Sequence, residues 1–240
     1  TQFIATVQTT HNLFSLFSAI LIFLGGRCFY GINGEDQTQT EQPNTEEITD
    51  IAGRWYAVMA TPCSDGGDCN LLTNNKVPCQ CISADFLALQ TAGFQVYMYA
   101  VNNATSKVTV DLGGASYVPP DNKKEVQGFI YSRATMEMSV IQKSPYGLSE
   151  DVHGIFYKFK MTIIGSNLEY KYMITTMSTD KVADATVVWS RVKAPGKATI
   201  WRQIVLHFKR LSMDIHKLNF INQLNCVYPT EAQCNEIFFC

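Results

Sequence analysis

Between Gly53 and Val192 the apolar positions recur mainly with a period of two. GRWYAVMAT (53–61) places Trp55, Ala57 and Met59 on one face. GFQVYMYAV (93–101) sets Phe94, Val96 and Met98 against Gln95, Tyr97 and Tyr99. IFYKFKMTII (155–164) alternates Ile155, Tyr157, Phe159, Met161 and Ile163 with Lys158 and Lys160. LEYKYMITT (168–176) sets Leu168, Tyr170, Tyr172 and Ile174 against Glu169, Lys171 and Met173, and ATVVWSRV (185–192) is apolar on both faces. Such alternation belongs to β-strands, whose successive side chains point to opposite faces. Shorter strand candidates are 80–89, 106–112, 126–133 and 135–142. Asn102-Asn103, Gly113-Gly114, Pro119-Pro120, Pro145-Tyr146-Gly147 and Gly165-Ser166-Asn167 punctuate the series as turns. About eight or nine strands in succession, with no helical stretch between them, predict a sandwich or an up-and-down barrel. Several strands are apolar on both faces, which a barrel with an apolar lumen explains better than a one-sided sheet.

The pattern changes after Val192. Ala194-Pro195-Gly196 breaks the strand, and Ile200, Ile204, His207, Phe208 and Leu211 then mark an amphipathic helix over 199–212. Lys209 and Arg210 near its end suit the helix dipole. KLNFIN (217–222) reads as a last short strand. The tail 226–240 carries three cysteines and is expected to pack wherever those pair.

Composition narrows the class. Apolar residues make up 46% of the 240, which is too many for a disordered chain. A net charge of −2 gives no general electrostatic reason to bind nucleic acid. The eight cysteines fall at 28, 63, 69, 79 and 81 and at 226, 234 and 240, in front of the strand-rich middle and behind it. Disulfides tying the ends to the body are the favoured reading, and they imply an oxidising space. A metal site is the weaker alternative, because Cys79-x-Cys81 is not a CxxC knuckle and no histidine stands at finger spacing. Reduced thiols are the third. Asn103-Ala104-Thr105 is a glycosylation sequon.

Residues 1–30 form an apolar segment with Leu13–Leu24 at its heart, and 1–26 hold no Lys, Arg, Asp or Glu. The stretch 3–25 is long enough to span a membrane as a helix. A retained membrane anchor is the first expectation. A signal-like leader, or a helix packed into the domain, are the others. Residues 31–50 hold six acidic residues, no basic ones and almost nothing to bury, so they read as a linker. The body is expected over 51–225.

At Gly53-Arg54-Trp55-Tyr56 the chain resembles the lipocalins, which carry a Gly-x-Trp motif at the start of the first strand. Trp189-Ser190-Arg191, followed by a loop, a helix, a short strand Lys217–Phe220 and Cys226, is similar to the ending of the apolipoprotein D and bacterial lipocalin branch. Cys81-Ile82-Ser83-Ala84-Asp85-Phe86 resembles the second strand of that branch. The resemblance covers about residues 48–226. The Thr-Asp-Tyr motif of the family is met only by Thr179-Asp180-Lys181, and the loop 62–78 is longer and richer in cysteine than the family pattern. The resemblance implies an all-β fold: an eight-stranded up-and-down antiparallel lipocalin-like barrel with one C-terminal α-helix, joined here to an N-terminal apolar helix. It implies a Cys81–Cys226 disulfide. It also implies structural roles for Gly53, Trp55 and Arg191, with Trp55 plugging the closed end and Arg191 lying over its indole.

By the two-residue period, a lumen lined by Met59, Val96, Met98, Tyr170, Tyr172, Val187 and Trp189 is expected to bind ligand. An ordinary filled core is the alternative. No P-loop, Rossmann fingerprint, nucleophile elbow or HExxH is present, and none of His11, His153, His207 and His216 stands at metal spacing. A few lipocalin-like proteins are enzymes, namely certain xanthophyll de-epoxidases and a prostaglandin synthase. That precedent would need an inward carboxylate such as Asp85, or a free thiol such as Cys79. The expected function is therefore non-enzymatic binding of a small hydrophobic ligand, a lipid or pigment, with no required cofactor and no metal. The barrel would stand in an oxidising space, tethered to a membrane through 3–25, or secreted. A non-catalytic subunit of a larger membrane complex is the alternative, and a lipid- or xanthophyll-modifying enzyme the third.

Overall fold

The first strand, β1 (Gly53–Ala60), begins at a residue with φ +92°, a left-handed conformation that glycine adopts without penalty. A Cβ at Gly53 would stand 3.2 Å from an Arg191 guanidinium nitrogen. In this computed structural model the residues described are 51–61, 79–89, 93–117, 124–143, 151–167, 171–180, 185–196 and 198–239. The anchor and linker expectations for 1–50, the loop 62–78, Tyr170 and Cys240 lie outside them. All the described residues belong to one unit, 42–240.

The strands that follow are β2 (Cys79–Ala88), β3 (Gly93–Asn102), β4 (Lys107–Tyr117), β5 (Glu125–Glu137), β6 (Asp151–Ser166), β7 (Tyr172–Thr179) and β8 (Ala185–Ser190). Each pairs antiparallel with the next, and β1 pairs with both β8 and β2, so the sheet closes into an eight-stranded up-and-down barrel. A two-residue strand, β9 (Asn219–Phe220), adds to the upper part of β1. Among the described residues, three α-helices accompany the sheet: α1 (Met138–Lys143), α2 (Ala198–Arg210) and α3 (Glu231–Phe239).

Several segments differ from their sequence reading. Gly113-Gly114, read as a turn, lies within β4, and Gly165-Ser166, also read as part of a turn, ends β6. The stretch 135–142 is not a separate strand. Its first three residues continue β5, whose Met136 is fully buried, and the rest turns into α1. The C-terminal tail, expected to pack where its cysteines pair, is held by Cys226 but not by Cys234, which is free; α3 packs Cys234 and Ile237 against Tyr97, Tyr99 and Val101 on the outside of β3.

The apolar residues divide into three clusters. The largest lines the barrel interior. A second lies between β3–β5 and the α1 and α3 helices. The third lies under α2, where Ile204 and Phe208 meet Val58, Met59, Tyr172, Ile174 and Val188. Strands clothed on both sides by apolar groups are thus accounted for by an apolar interior and two outer helical covers.

A disulfide joins Cys81 to Cys226, the pairing that the lipocalin resemblance implies. Cys81 has φ +56° and sits where the β2–β3 register shifts between Gln80 and Ser83. There β2 leaves β1, and residues 219–223 enter the gap. The Cys81 amide donates to Asn222 O at 2.8 Å, and the Ile221 amide donates to Val58 O at 3.0 Å. The buried Gln223 side chain donates to Ala57 O at 2.6 Å and Ile82 O at 2.9 Å, supplying both strands with the donor they no longer give each other.

Candidate functional site

Register fixes which side chains face inward. Trp55 stands opposite Ala84, Ala84 opposite Met98, Met98 opposite Asp111, Asp111 opposite Arg133 and Arg133 opposite His153. This row crosses six strands. The next row runs Phe86, Val96, Gly113, Ile130 and Tyr157, and another runs Phe94, Ala115, Gly128 and Phe159. Large groups on β6 therefore face small ones across the β4–β5 wall. The inner face of β1–β3 is likewise small in places, at Ala57, Ala60, Ala84 and Ala100. Gly128 is held to glycine by close approach, since a Cβ there would lie 2.2 Å from Gly114 O and 2.8 Å from Phe159.

One end is plugged. Trp55 and Trp189 are fully buried. The Trp55 indole donates to Ile51 O at 2.9 Å, and the Trp189 indole donates to the Thr175 hydroxyl at 2.9 Å. The Arg191 guanidinium lies 3.8 Å from the centre of the Trp55 ring and donates to Arg54 O at 3.3 Å.

Among the described residues, the interior holds a buried ionic pair, together with the buried hydroxyls of Thr109 and Thr175. Val108, Val110 and Leu112 belong to the outer cluster, so by alternation Asp111 faces inward. Its carboxylate is 1% exposed. It accepts from Arg133 Nε at 2.8 Å and, weakly, from the buried Tyr157 hydroxyl at 3.4 Å. The Arg133 side chain is 11% exposed, and His153 follows it in the row, exposed to solvent. A charged pair removed from water carries a desolvation cost that only good geometry offsets. Neither Asp111 nor Arg133 stood out in the sequence. Both lie in polar-looking stretches, and only the register brings them together.

The sequence-derived lining divides. Val96, Met98, Val187 and Trp189 sit in the interior cluster. Met59 and Tyr172 do not, and both pack beneath α2 instead. Met59 is displaced by a bulge. Ala57 pairs with Trp189, Met59 with Val188 and Ala60 with Val187, so Val58 and Met59 together oppose one residue and Ala60 returns inward. Tyr172 lies next to Met173, which pairs with the inward Trp189, so Met173 takes the interior and Tyr172 the outside. There its hydroxyl meets His207 Nδ1 at 2.7 Å.

Asp85 is no interior carboxylate. It points outward and holds Arg54 through two oxygens, at 2.8 and 2.5 Å. Cys79 is disulfide-bonded and so is not a free thiol. Among the described residues the free thiol is Cys234, buried under the outer sheet face, where burial pushes its pKa up to about 12. The neighbouring Tyr97, Tyr99 and Tyr228 hydroxyls are raised by burial as well. Among the described residues, no group of three or more His, Cys, Asp or Glu could hold a metal. No helix among them is long and apolar enough to cross a membrane.

Comparison with solved structures places this geometry. The tryptamine complex of the amine binding protein of Rhodnius prolixus superposes with a TM-score of 0.53 at 14% identity, over 85% of this chain and 94% of that one. A biogenic amine-binding protein gives 0.54 at 14% identity, over 82% and 91%. The fold is the lipocalin fold. Apocrustacyanin C2 is similar at a TM-score of 0.47 and 12% identity, over 77% of this chain and 82% of that one. No protein-family model matches the chain, and no curated protein sequence matches it. The lipocalin barrel here carries a disulfide of the kind that persists in oxidising compartments.

Proposed function

We propose that the protein binds one small, largely apolar molecule inside its barrel, and that the Asp111–Arg133–Tyr157 group meets the polar end of that molecule. The observation that carries this reading is a buried ionic pair, Asp111 and Arg133, in a largely apolar interior, set in a row that includes Trp55 at the plugged end and solvent-exposed His153. A few polar groups in an apolar pocket are the usual means of orienting a ligand. The small side chains on the β1–β5 wall support space for one, with Val96, Met98, Val187 and Trp189 among its lining. The related folds support the same class of activity, since one of them is described in complex with tryptamine. Binding would be non-covalent and without metal or cofactor. The Cys81–Cys226 bridge supports the resemblance to the apolipoprotein D and bacterial branch. Tethering through residues 3–25 is supported by their apolarity alone.

The test is titration of the purified full chain with retinol, oleate and tryptamine, followed by the quenching of tryptophan fluorescence. At least one should bind saturably at one to one, and Met98→Trp, which fills the interior, should abolish that binding. If none of the three binds, and native mass spectrometry of protein from its source finds no bound small molecule, the reading is overturned.

A further inference from the structure

A cavity lies outside the barrel, between α2 and the ends of β6, β7 and β8. Its volume is about 1000 Å³, at the upper end of the range for small-molecule sites. It shares no wall with the interior ionic group. Its floor is Tyr172, fixed to His207 by the 2.7 Å hydrogen bond.

The lining has an uneven charge. Lys171, Arg191 and Arg210 all border the cavity, and no Asp or Glu is among its described lining residues. Three cations and no carboxylate among the described lining residues favour an anionic ligand. One of the three is placed in advance, since Arg191 is held by the Trp55 ring and by Arg54 O. Arg210 is exposed at the end of α2 and makes no ion pair with any described carboxylate. The remaining wall is apolar, from Ile200, Leu206, Val192 and Pro195, and Leu206 and Val192 are 45% and 50% exposed. Exposed apolar side chains beside clustered cations match a molecule with an anionic head and an apolar body.

We propose that this cleft binds a small amphiphilic anion. Its oxyanion, a carboxylate or a phosphate monoester, would be held by Lys171, Arg191 and Arg210, and its chain would lie along Ile200, Leu206 and Val192. Charge-assisted bonds to such an oxyanion are the strong kind, and guanidinium groups match its geometry. The site is independent of the barrel interior, and either could exist without the other.

The experiment follows backbone amide resonances of the full chain during titration with octyl phosphate, octanoate, octanol and inorganic phosphate. Thr199, Gln203 and His207 report on the cleft, and Ala84 and Val96 on the interior. Octyl phosphate or octanoate should shift the cleft reporters saturably, with octanol and inorganic phosphate each at least about tenfold weaker. The relative affinity of the two anions tells which oxyanion is preferred. The double substitution Lys171→Gln/Arg210→Gln removes charge from exposed side chains and spares Arg191, which braces Trp55. It should weaken binding at the cleft reporters by about tenfold or more while the interior reporters keep their response. The proposal is overturned if only interior reporters move, if octanol or inorganic phosphate alone binds as well as the amphiphilic anions, or if the double variant binds unchanged.

Discussion

Arg133 donates to Asp111 across neighbouring strands at 2.8 Å, and both side chains lie inside a largely apolar barrel. The pair carries a desolvation cost, and removing one partner strips the other buried charge of a charge-assisted hydrogen bond. Asp111→Ala and Arg133→Met should each lower unfolding stability by about 3–5 kcal/mol. The double replacement Asp111→Leu/Arg133→Met should recover most of that loss while still impairing ligand orientation. Urea unfolding of the four species checks the stability cycle, and ligand titration checks the second half.

Gln223 is the second test. Its side-chain amide is the donor for two buried carbonyls, Ala57 O and Ile82 O, where β1 and β2 part. Gln223→Ala leaves both without that donor, at about 1–3 kcal/mol for each buried unsatisfied group. Thermal melting should show the loss. Hydrogen exchange should quicken first at the Cys81 and Ile221 amides, which bridge the same gap.

The Cys81–Cys226 bond encloses a sequence separation of 145 residues and fastens the C-terminal segment to β2. Opening it with the double substitution Cys81→Ser/Cys226→Ser should cost about 2–5 kcal/mol, because the unfolded chain regains the freedom the cross-link removed. The urea midpoint measures this. Retained barrel circular dichroism with faster proteolysis after Asn219 would locate the damage at the tail.

Alkaline pH should undo the α3 contact. Burial raises the Cys234 thiol to about 12 from an ordinary 9, and raises Tyr97, Tyr99 and Tyr228 in the same direction. The folded state therefore holds protons that the unfolded chain has already released. Stability should be intact below pH 9 and should fall as the pH climbs toward 12. Denaturant midpoints across that window test the trend. Native protein at pH 8 should also react only slowly with iodoacetamide at Cys234, since the thiolate is scarce and the side chain is covered.

The strands and the closing helix were legible because their signals are local. A period of two over 155–164 needs no partner to be read, and the observed strand puts Tyr157, Phe159, Met161 and Ile163 in the interior cluster with Ile155 packed against it. The helix expected over 199–212 is observed as Ala198–Arg210, because an amphipathic stripe and a Pro-Gly break are written in consecutive residues. The segment 135–142 misled for the same reason. Its methionines suit strand or helix equally, and the choice was made by the β4 pairing that extends β5 to Glu137.

By itself, then, the sequence determined an alternating all-β meander ending in a helix, and a cysteine that the lipocalin resemblance could pair with Cys226. It could not say which of two apolar faces is inside. That was decided by the tertiary structure through one bulge at Val58–Met59 and one pairing, Met173 with Trp189, which sent Met59 and Tyr172 beneath the helix. Nor could it place Asp111 beside Arg133, 22 residues away, or gather Lys171, Arg191 and Arg210 around one cleft. Strand parity is a local property, whereas register, bulges and the meeting of distant charges arise only when the barrel closes.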